Sequence, residues 1–167
     1  GNHGLQATDA AQPKWQTGGL ARFDGSDDNL PTPLVPGDAM TIMAKFKCTS
    51  GSKGICGAYA VPSYSFLMVD GAGLLAGGAG GVGQGTIKGG SDIRGTTIVG
   101  ALSFSAAGVS LYVNAVPVYS DAFSGTHYTG SSYRIGSLNN STTSVLHADA
   151  DIYHVLAIQK VLTAAEI

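Results

Sequence analysis

Residues 40–47, with the sequence MTIMAKFK, decide the fold class of this chain. Every second residue from Met40 to Phe46 is apolar, and the positions between them include Thr41 and Lys45. Because successive side chains of a β-strand point to opposite faces, this period of two predicts a strand. One face of the strand should lie in the core, and the other should face a groove or solvent.

Short segments of the same kind recur along the chain and predict further strands. They are residues 21–23, 54–59, 64–69, 74–78, 96–104, 109–113, 132–136 and 150–159. In the last of them, His154 falls on the same face as Ile152 and Leu156, so we expect a core histidine there. Residues 105–108 predict a hairpin connection between two of the strands.

The composition agrees with many short strands joined by tight turns. The chain of 167 residues contains 25 glycines, and only 12% of its residues are charged. Turn signals recur about every 8 to 12 residues, as in an antiparallel sandwich. We therefore predict an all-β fold, a two-sheet antiparallel jelly-roll sandwich. Thr163 and Glu166 have capping-box spacing, which predicts a short helix start at the C-terminal end.

The length suits a single domain with an N-terminal extension. Residues 1–19 are polar and contain the only tryptophan, Trp15, so we predict an arm at 1–19 and a jelly-roll domain at 20–167. We expect the arm to contact either the domain's own sheet or an adjacent subunit of a homo-oligomer, with Trp15 as the anchor. The alternative is that Trp15 packs within its own domain.

Charge and hydropathy argue against two classes of partner. Nine basic and eleven acidic residues, without a Lys/Arg cluster, provide no positive groove for nucleic acid. No apolar run of about 18 residues occurs, so no membrane span is predicted. The first residues lack the pattern of a signal peptide, and we expect the chain to be a segment of a longer polypeptide.

The acidic residues do not suggest a glycosidase. Such enzymes usually need two carboxyl groups that flank the scissile bond. Glu166 is the only glutamate, and the ten aspartates are spread over turns and strand ends. No serine lies in a nucleophile-elbow pattern either. The sequence therefore favours a domain that is not an enzyme.

Two cysteines, Cys48 and Cys56, flank a polar stretch at residues 49–55 that predicts a hairpin loop. A disulfide could tie the two strand ends if their Cα atoms came within about 7 Å. The alternative is a pair of free cysteines that behave as small buried apolar residues.

Several segments, in this order, resemble laminin-G-like domains of the concanavalin A-like lectin/glucanase jelly roll. They are residues 21–30, 40–47, 109–118, 133–137, 150–158 and 162–167. Residues 1–13 resemble the segment that precedes such domains in bacteriophage virion proteins. Ala115 stands where the family usually has glycine, and residues 96–99 lack the family's tryptophan and histidine. A ligand site built on those positions in relatives therefore does not transfer.

The resemblance implies a non-catalytic domain of a larger phage virion protein, located on a tail or head surface or otherwise extracellular. Such a domain would engage surface glycans or neighbouring virion subunits. Two alternatives remain: a glycan-hydrolysing jelly-roll enzyme, and a purely structural decoration or oligomerisation domain.

Five aspartates suggest a calcium site. Asp24, Asp27 and Asp28 lie on or just after the first strand, and Asp149 and Asp151 lie at the last one. These strands are neighbours in a jelly roll, so the carboxylate oxygens could converge on Ca²⁺. The family that the chain resembles includes calcium-binding members. The alternative is that these aspartates accept hydrogen bonds from nearby backbone amides in turns.

Aromatic and amide side chains supply the candidate ligand site. An aromatic ring can pack on the C–H face of a sugar while a hydroxyl group binds outward. We name Tyr112, Tyr128, Asn139 and Asn140 as candidate ligand-binding residues. For the tyrosines, the alternative is packing within the sandwich.

Overall fold

The computed structural model describes residues 11–60, 63–80, 86–122, 132–140 and 143–167. Within these ranges the chain forms fifteen strands in two packed sheets, and it forms no helix. The predicted all-β antiparallel sandwich is therefore confirmed. A membrane-spanning helix is not found in this part of the chain.

The strands are numbered in chain order. They are β1 (Lys14–Gln16), β2 (Leu20–Asp24), β3 (Leu30–Pro31), β4 (Met40–Cys48), β5 (Lys53–Ala60), β6 (Ser63–Val69), β7 (Leu75–Gly80), β8 (Ile87–Gly89), β9 (Thr97–Ser105), β10 (Gly108–Val113), β11 (Val116–Asp121), β12 (Arg134–Ile135), β13 (Leu138–Asn140), β14 (Thr143–Val145) and β15 (Asp149–Ile158). The front sheet has the order β1-β2-β15-β4-β9-β10-β11, and the back sheet has the order β14-β13-β5-β6-β7-β8. Strand β12 pairs with β3 and β5 beside the back sheet.

The core lies between the inner faces of the two sheets. Strand β4 pairs with β15 on one side and β9 on the other, and Met40, Ile42 and Phe46 are fully buried, as the alternation predicted. Each large apolar side chain buried in this way contributes about 1.5–3 kcal/mol. Tyr133 is also fully buried, and its hydroxyl lies 2.7 Å from that of Ser65, so its polar end is hydrogen-bonded.

A β-bulge in β15 reverses the predicted faces of that strand. The register with β4 shifts between Ile152 and His154, which inserts one unpaired residue. Ile152 faces the core before the bulge, whereas Val155 and Ala157 face it afterwards. His154 is consequently exposed, and the prediction of a core histidine was wrong.

The segment between the two cysteines crosses from one sheet to the other. Cys48 ends β4 in the front sheet, and Cys56 lies on β5 in the back sheet, so the predicted hairpin was wrong. The polar stretch does contain a turn, but a turn signal does not specify that its flanking strands pair. Both cysteines are buried and free, and burial raises the pKa of Cys56 to about 12.

The ends of the chain differ in how they join the front sheet. Residues 14–16 of the predicted arm form the edge strand β1, yet the side chain of Trp15 is 73% exposed. Residues 164–166 form a turn rather than a helix. The capping interaction is nevertheless present, since the Thr163 amide donates to a Glu166 carboxylate oxygen at 2.9 Å.

Gly136 provides a test of how tightly the two sheets pack. It has φ +79°, and a Cβ placed on it would lie 2.0 Å from the Phe23 ring. We expect Gly136→Ala to destabilise the domain by roughly 2–5 kcal/mol, the left-handed backbone and the overpacking each contributing. The matched control is Gly95→Ala, where φ is +73° but no atom lies within 4 Å, so only about 1–2 kcal/mol is expected. Urea unfolding measures the free energy of unfolding of both variants. An equal decrease in Gly136→Ala and Gly95→Ala would contradict the close packing at Gly136.

Candidate functional site

Four hydroxyl side chains form a row across the outer face of the front sheet. Thr41, Ser103, Ser110 and Ser120 are in register on β4, β9, β10 and β11. The Thr41 and Ser103 oxygens lie 2.9 Å apart, and the Ser110 and Ser120 oxygens lie 3.0 Å apart. The row therefore consists of two hydrogen-bonded pairs.

The C-terminal segment, residues 159–167, covers the first pair. The Thr41 hydroxyl donates to the Lys160 carbonyl at 2.8 Å and accepts from the Leu162 amide at 2.9 Å. Thr41 and Ser103 are buried as a result, although they lie on the outer face of the sheet. The Ser103 hydroxyl also donates to the Leu162 carbonyl at 3.4 Å, so two hydroxyls attach this segment to the front sheet.

Glu166 holds the same segment in its turn. The Lys160 ammonium group donates to its carboxylate, as do the amide and hydroxyl of Thr163. These donors, chiefly Lys160, lower the pKa of Glu166 to about 2. The only glutamate of the chain therefore has a structural contact in a surface turn.

The second pair of hydroxyl groups lies in an open groove of about 540 Å³, which we call the Tyr112 groove. Tyr112 follows Ser110 by two residues on β10 and is half-buried. Val161 of the C-terminal segment lines the groove as well, so this segment forms part of its wall. Asp121, the last residue of β11, borders the groove, but it pairs with the core residue Val109 and so directs its side chain to the opposite face from Ser120.

The Asp121 carboxylate is held by two donors. It accepts hydrogen bonds from the Tyr119 hydroxyl at 3.1 Å and from the Ala122 amide at 2.8 Å. The bond to Asp121 raises the pKa of Tyr119. An aromatic ring and an exposed pair of hydroxyl groups together suit a polyhydroxylated ligand, because such a ligand offers both C–H faces and O–H groups.

The structure brings only one of the predicted ligand residues to this groove. Tyr112 lines it, whereas Asn139 and Asn140 belong to β13, a strand of the back sheet. Tyr128 lies outside the described residues. The sequence shows that Ser110 and Tyr112 share a strand face, but it does not show their cross-strand neighbours, so Ser120 was not predicted as part of the site.

The predicted calcium ligands are only partly assembled. The carboxylates of Asp24, Asp27 and Asp28 offer oxygens within 4.8 Å of one another. The pKa of Asp28 is raised, first by burial and also by the charges of the other two, so a cation would relieve their repulsion. However, Asp28 already accepts the Asp24 amide at 2.9 Å, which fits the turn-stabilising alternative.

The other two aspartates point their carboxylates elsewhere. Asp149 pairs with Asp24 across β15 and β2, as expected for neighbouring strands. Its carboxylate, however, accepts from the Thr49 and Ser50 hydroxyls. Asp151 forms an ion pair with Arg22. Calcium binding stays a prediction, for which the described structure groups only Asp24, Asp27 and Asp28 as candidate ligands.

Comparison with known proteins gives the fold alone. No known protein family and no curated protein matches the sequence. Among solved structures, the botulinum neurotoxin type G receptor binding domain has a TM-score of 0.70 at 9% identity, over 98% of this chain and 44% of that domain. The CBM40 of Ruminococcus gnavus IT-sialidase, bound to α2,3-sialyllactose, has a TM-score of 0.63 at 14% identity, over 77% of this chain and 80% of the CBM40.

A whole enzyme is similar over a smaller part of its length. The K499G mutant of NanB sialidase from Streptococcus pneumoniae has a TM-score of 0.65 at 12% identity. The match covers 93% of this chain but 28% of the sialidase. This chain therefore has the β-sandwich fold found in carbohydrate-binding and receptor-binding domains.

The Glu166 contacts predict a pH-dependent groove wall. The pKa of Glu166 is lower in the folded chain than in the unfolded one, so the ionised carboxylate stabilises the segment. This stabilisation is fully present above about pH 4.5, where the unfolded carboxyl is also ionised, and it is lost as the pH falls towards about 2. We expect Glu166→Gln to lower the hydrogen-exchange protection factor of the Leu162 amide at neutral pH, with little difference near pH 2. Asp92→Asn, which removes an exposed carboxylate paired with Arg94 near the other end of β4, is the control. Equal protection in the wild type and Glu166→Gln at neutral pH would contradict the role of Glu166.

Proposed function

We propose that this domain is a non-catalytic glycan-binding module that binds its ligand in the Tyr112 groove. The observation that carries the proposal is the combination of Tyr112 and the exposed Ser110–Ser120 pair in one open groove. The similar fold of a CBM40 bound to sialyllactose and of a toxin receptor binding domain supports a binding role.

The carboxylate chemistry of the groove supports binding rather than hydrolysis. A glycosidase places two carboxyl groups about 5–10 Å apart, one on each side of the scissile bond. Among the described residues that line the groove, Asp121 alone carries a carboxylate. Its contacts with Tyr119 and Ala122 hold it as a hydrogen-bond acceptor. The K499G NanB sialidase and related structures share the fold, so assays for glycan hydrolysis remain the appropriate check on this part of the proposal.

The biological setting in this proposal is a larger protein exposed on a virion surface or in the extracellular space. The resemblance to laminin-G-like domains of phage virion proteins supports that setting. The glycan partner would then belong to a host cell surface, and neighbouring virion subunits would be the second class of partner.

The Tyr112 groove can be tested by mutation. Stacking that buries about 60 Å² of the ring contributes roughly 1.5 kcal/mol at ~25 cal/mol/Å². We therefore expect Tyr112→Ala to lower the association constant for a bound glycan by about tenfold, and Tyr112→Phe to retain most of the affinity. Tyr153→Ala, on the same sheet but outside the groove, is the matched control. A glycan array followed by calorimetry measures the effect; unchanged affinity in Tyr112→Ala would place the site elsewhere.

The exposed tryptophan favours a second role, contact with a neighbouring subunit. Trp15 lies on the edge strand β1 and lines a cleft together with Leu30, Ile135 and Ile152. An exposed indole beside an apolar cleft, on the edge strand of the sheet that the described residues form, has the features of an interface anchor. This role does not compete with glycan binding, because Trp15 and Tyr112 lie towards opposite edges of the front sheet.

Light scattering tests the role of Trp15. We expect the wild-type domain to form an oligomer at high concentration and Trp15→Ala to remain a monomer. The melting temperature of the monomer should change little, because the replaced side chain is 73% exposed. Val116→Ala, at the other edge of the sheet and 61% exposed, is the control. A monomeric wild-type domain would remove this role.

A further inference from the structure

The edge of β15 is only partly covered in the front sheet. Strand β2 pairs with residues 149–152 of β15 and begins at Leu20, so it covers the first part alone. On its other side, β15 pairs with β4 as far as Ile158. Within the described part of the chain, no strand pairs with residues 154–157 on the side where β2 ends. Backbone N–H and C=O groups at such an edge lack sheet partners, which makes the edge a template for another strand.

Two cavities lie beside this open edge. The larger, of about 210 Å³, is lined by Val155 and Ala157 as well as by Leu34 and Ile135. The smaller, of about 120 Å³, is the cleft beside Trp15, and it shares Val155 and Ile135 with the larger one. Val155 and Ala157 pack against the core but are only half-buried, so the space next to them is accessible. We call the open edge together with the two cavities the β15 notch.

The notch has the shape that an extended peptide requires. A strand placed beside residues 154–157 would continue the line of β2, about 4.8 Å from β15. Every second side chain of that strand points inward, towards the cavities that Val155 borders. An apolar cavity of about 150 Å³ holds benzene, so the larger cavity has room for a branched aliphatic side chain. An inward neighbour two residues further along lies about 7 Å away, which brings it to the smaller cavity.

The size of the notch favours a single peptide strand over a second folded copy of the domain. The open edge of residues 154–157 spans about 13 Å, and a contact of that length covers on the order of 200 Å² on each partner. A stable interface between folded proteins covers about 800 Å² on each partner. In addition, β2 lies in line with the open edge, so a long edge strand of a folded sheet would meet it. A peptide avoids both limits because it can end where β2 begins.

We propose that the β15 notch binds an extended peptide segment of a partner protein, which adds to the front sheet as a strand beside residues 154–157. Aliphatic side chains at alternate positions of this peptide enter the two cavities, and its backbone supplies the missing hydrogen bonds of the edge. The proposal does not rest on glycan binding, because the Tyr112 groove lies on β10 and β11 whereas the notch lies on β15. Contact of Trp15 with a neighbouring subunit is also separate, since it uses an exposed side chain and no strand pairing.

Hydrogen exchange in the presence of a synthetic peptide tests the pairing. The probe is acetyl-KTVTVTK-amide, in which valines occupy alternate positions, and the control peptide has serine in place of both valines. At about 1 mM, a concentration suited to so short a contact, we expect the valine peptide to slow exchange at residues 154–157. The serine peptide should bind at least about tenfold more weakly, because it buries less apolar surface. Unchanged exchange at these residues with the valine peptide would overturn the proposal.

Methylation of the peptide backbone distinguishes strand pairing from unspecific apolar contact. Along one strand, the N–H groups of the valines point to one edge and those of the threonines point to the other. One peptide is methylated at both valine amides and another at two threonine amides. We expect one of them to lose at least about tenfold in affinity, because two hydrogen bonds to β15 are removed, and the other to retain its affinity. Equal affinities of the two methylated peptides would contradict strand pairing and overturn the proposal.

A variant of the domain tests the larger cavity. Ala157→Leu extends a side chain into this cavity, so we expect it to weaken binding of the valine peptide about tenfold without lowering the melting temperature. Val116→Ala, at the opposite edge of the front sheet, is the control and should match the wild type. Full affinity in Ala157→Leu would place the peptide elsewhere and overturn the proposal. Protection of residues 154–157 that rises with domain concentration in the absence of peptide would assign the notch to a second copy and overturn it as well.

Discussion

The register between β4 and β9 is the constraint on which the rest of the front sheet depends. Eight consecutive pairs, from Met40 opposite Phe104 to Lys47 opposite Thr97, place the set Met40, Ile42, Ala44 and Phe46 on the core side. A slip by one residue would turn that whole set outward, which fixes the register strongly. The same pairs place Thr41 beside Ser103, so the attachment point of the C-terminal segment follows from the packing of the core.

The same register determines which side chains are neighbours on the outer face of the front sheet. Strand β10 continues the pairing from β9, which aligns Ser110 with Ser103 and then Ser120 with Ser110. One part of the row is used to hold the chain, and the other part is left accessible beside Tyr112. The strands that pack the core on their inner face therefore also position the groove side chains on their outer face.

The sequence predicted local features better than long-range ones. The alternation in residues 40–47 identified β4 and its buried face, because that signal is contained in one strand. The row of hydroxyls could not be found in this way, since Thr41 and Ser103 are 62 residues apart and meet only through strand pairing. The crossing between Cys48 and Cys56 was missed for the same reason: residues 49–52 specify a turn, while distant strands decide which sheet each flanking segment joins.

The bulge in β15 has a consequence for the evolution of this strand. Before it, even-numbered residues such as Ile152 face the core; after it, odd-numbered residues such as Val155 do. Loss of the one extra residue at this point would leave inside and outside unchanged, because Ile152, Val155 and Ala157 pair with the inner-facing Phe46, Ala44 and Ile42 of β4. A lineage could therefore lose the bulge by a single deletion, whereas a shift in register without that deletion would turn Val155 and Ala157 outward. In an alignment with relatives that lack the bulge, the extra residue belongs to a gap position, and the residues on its two sides then keep one phase of the alternation.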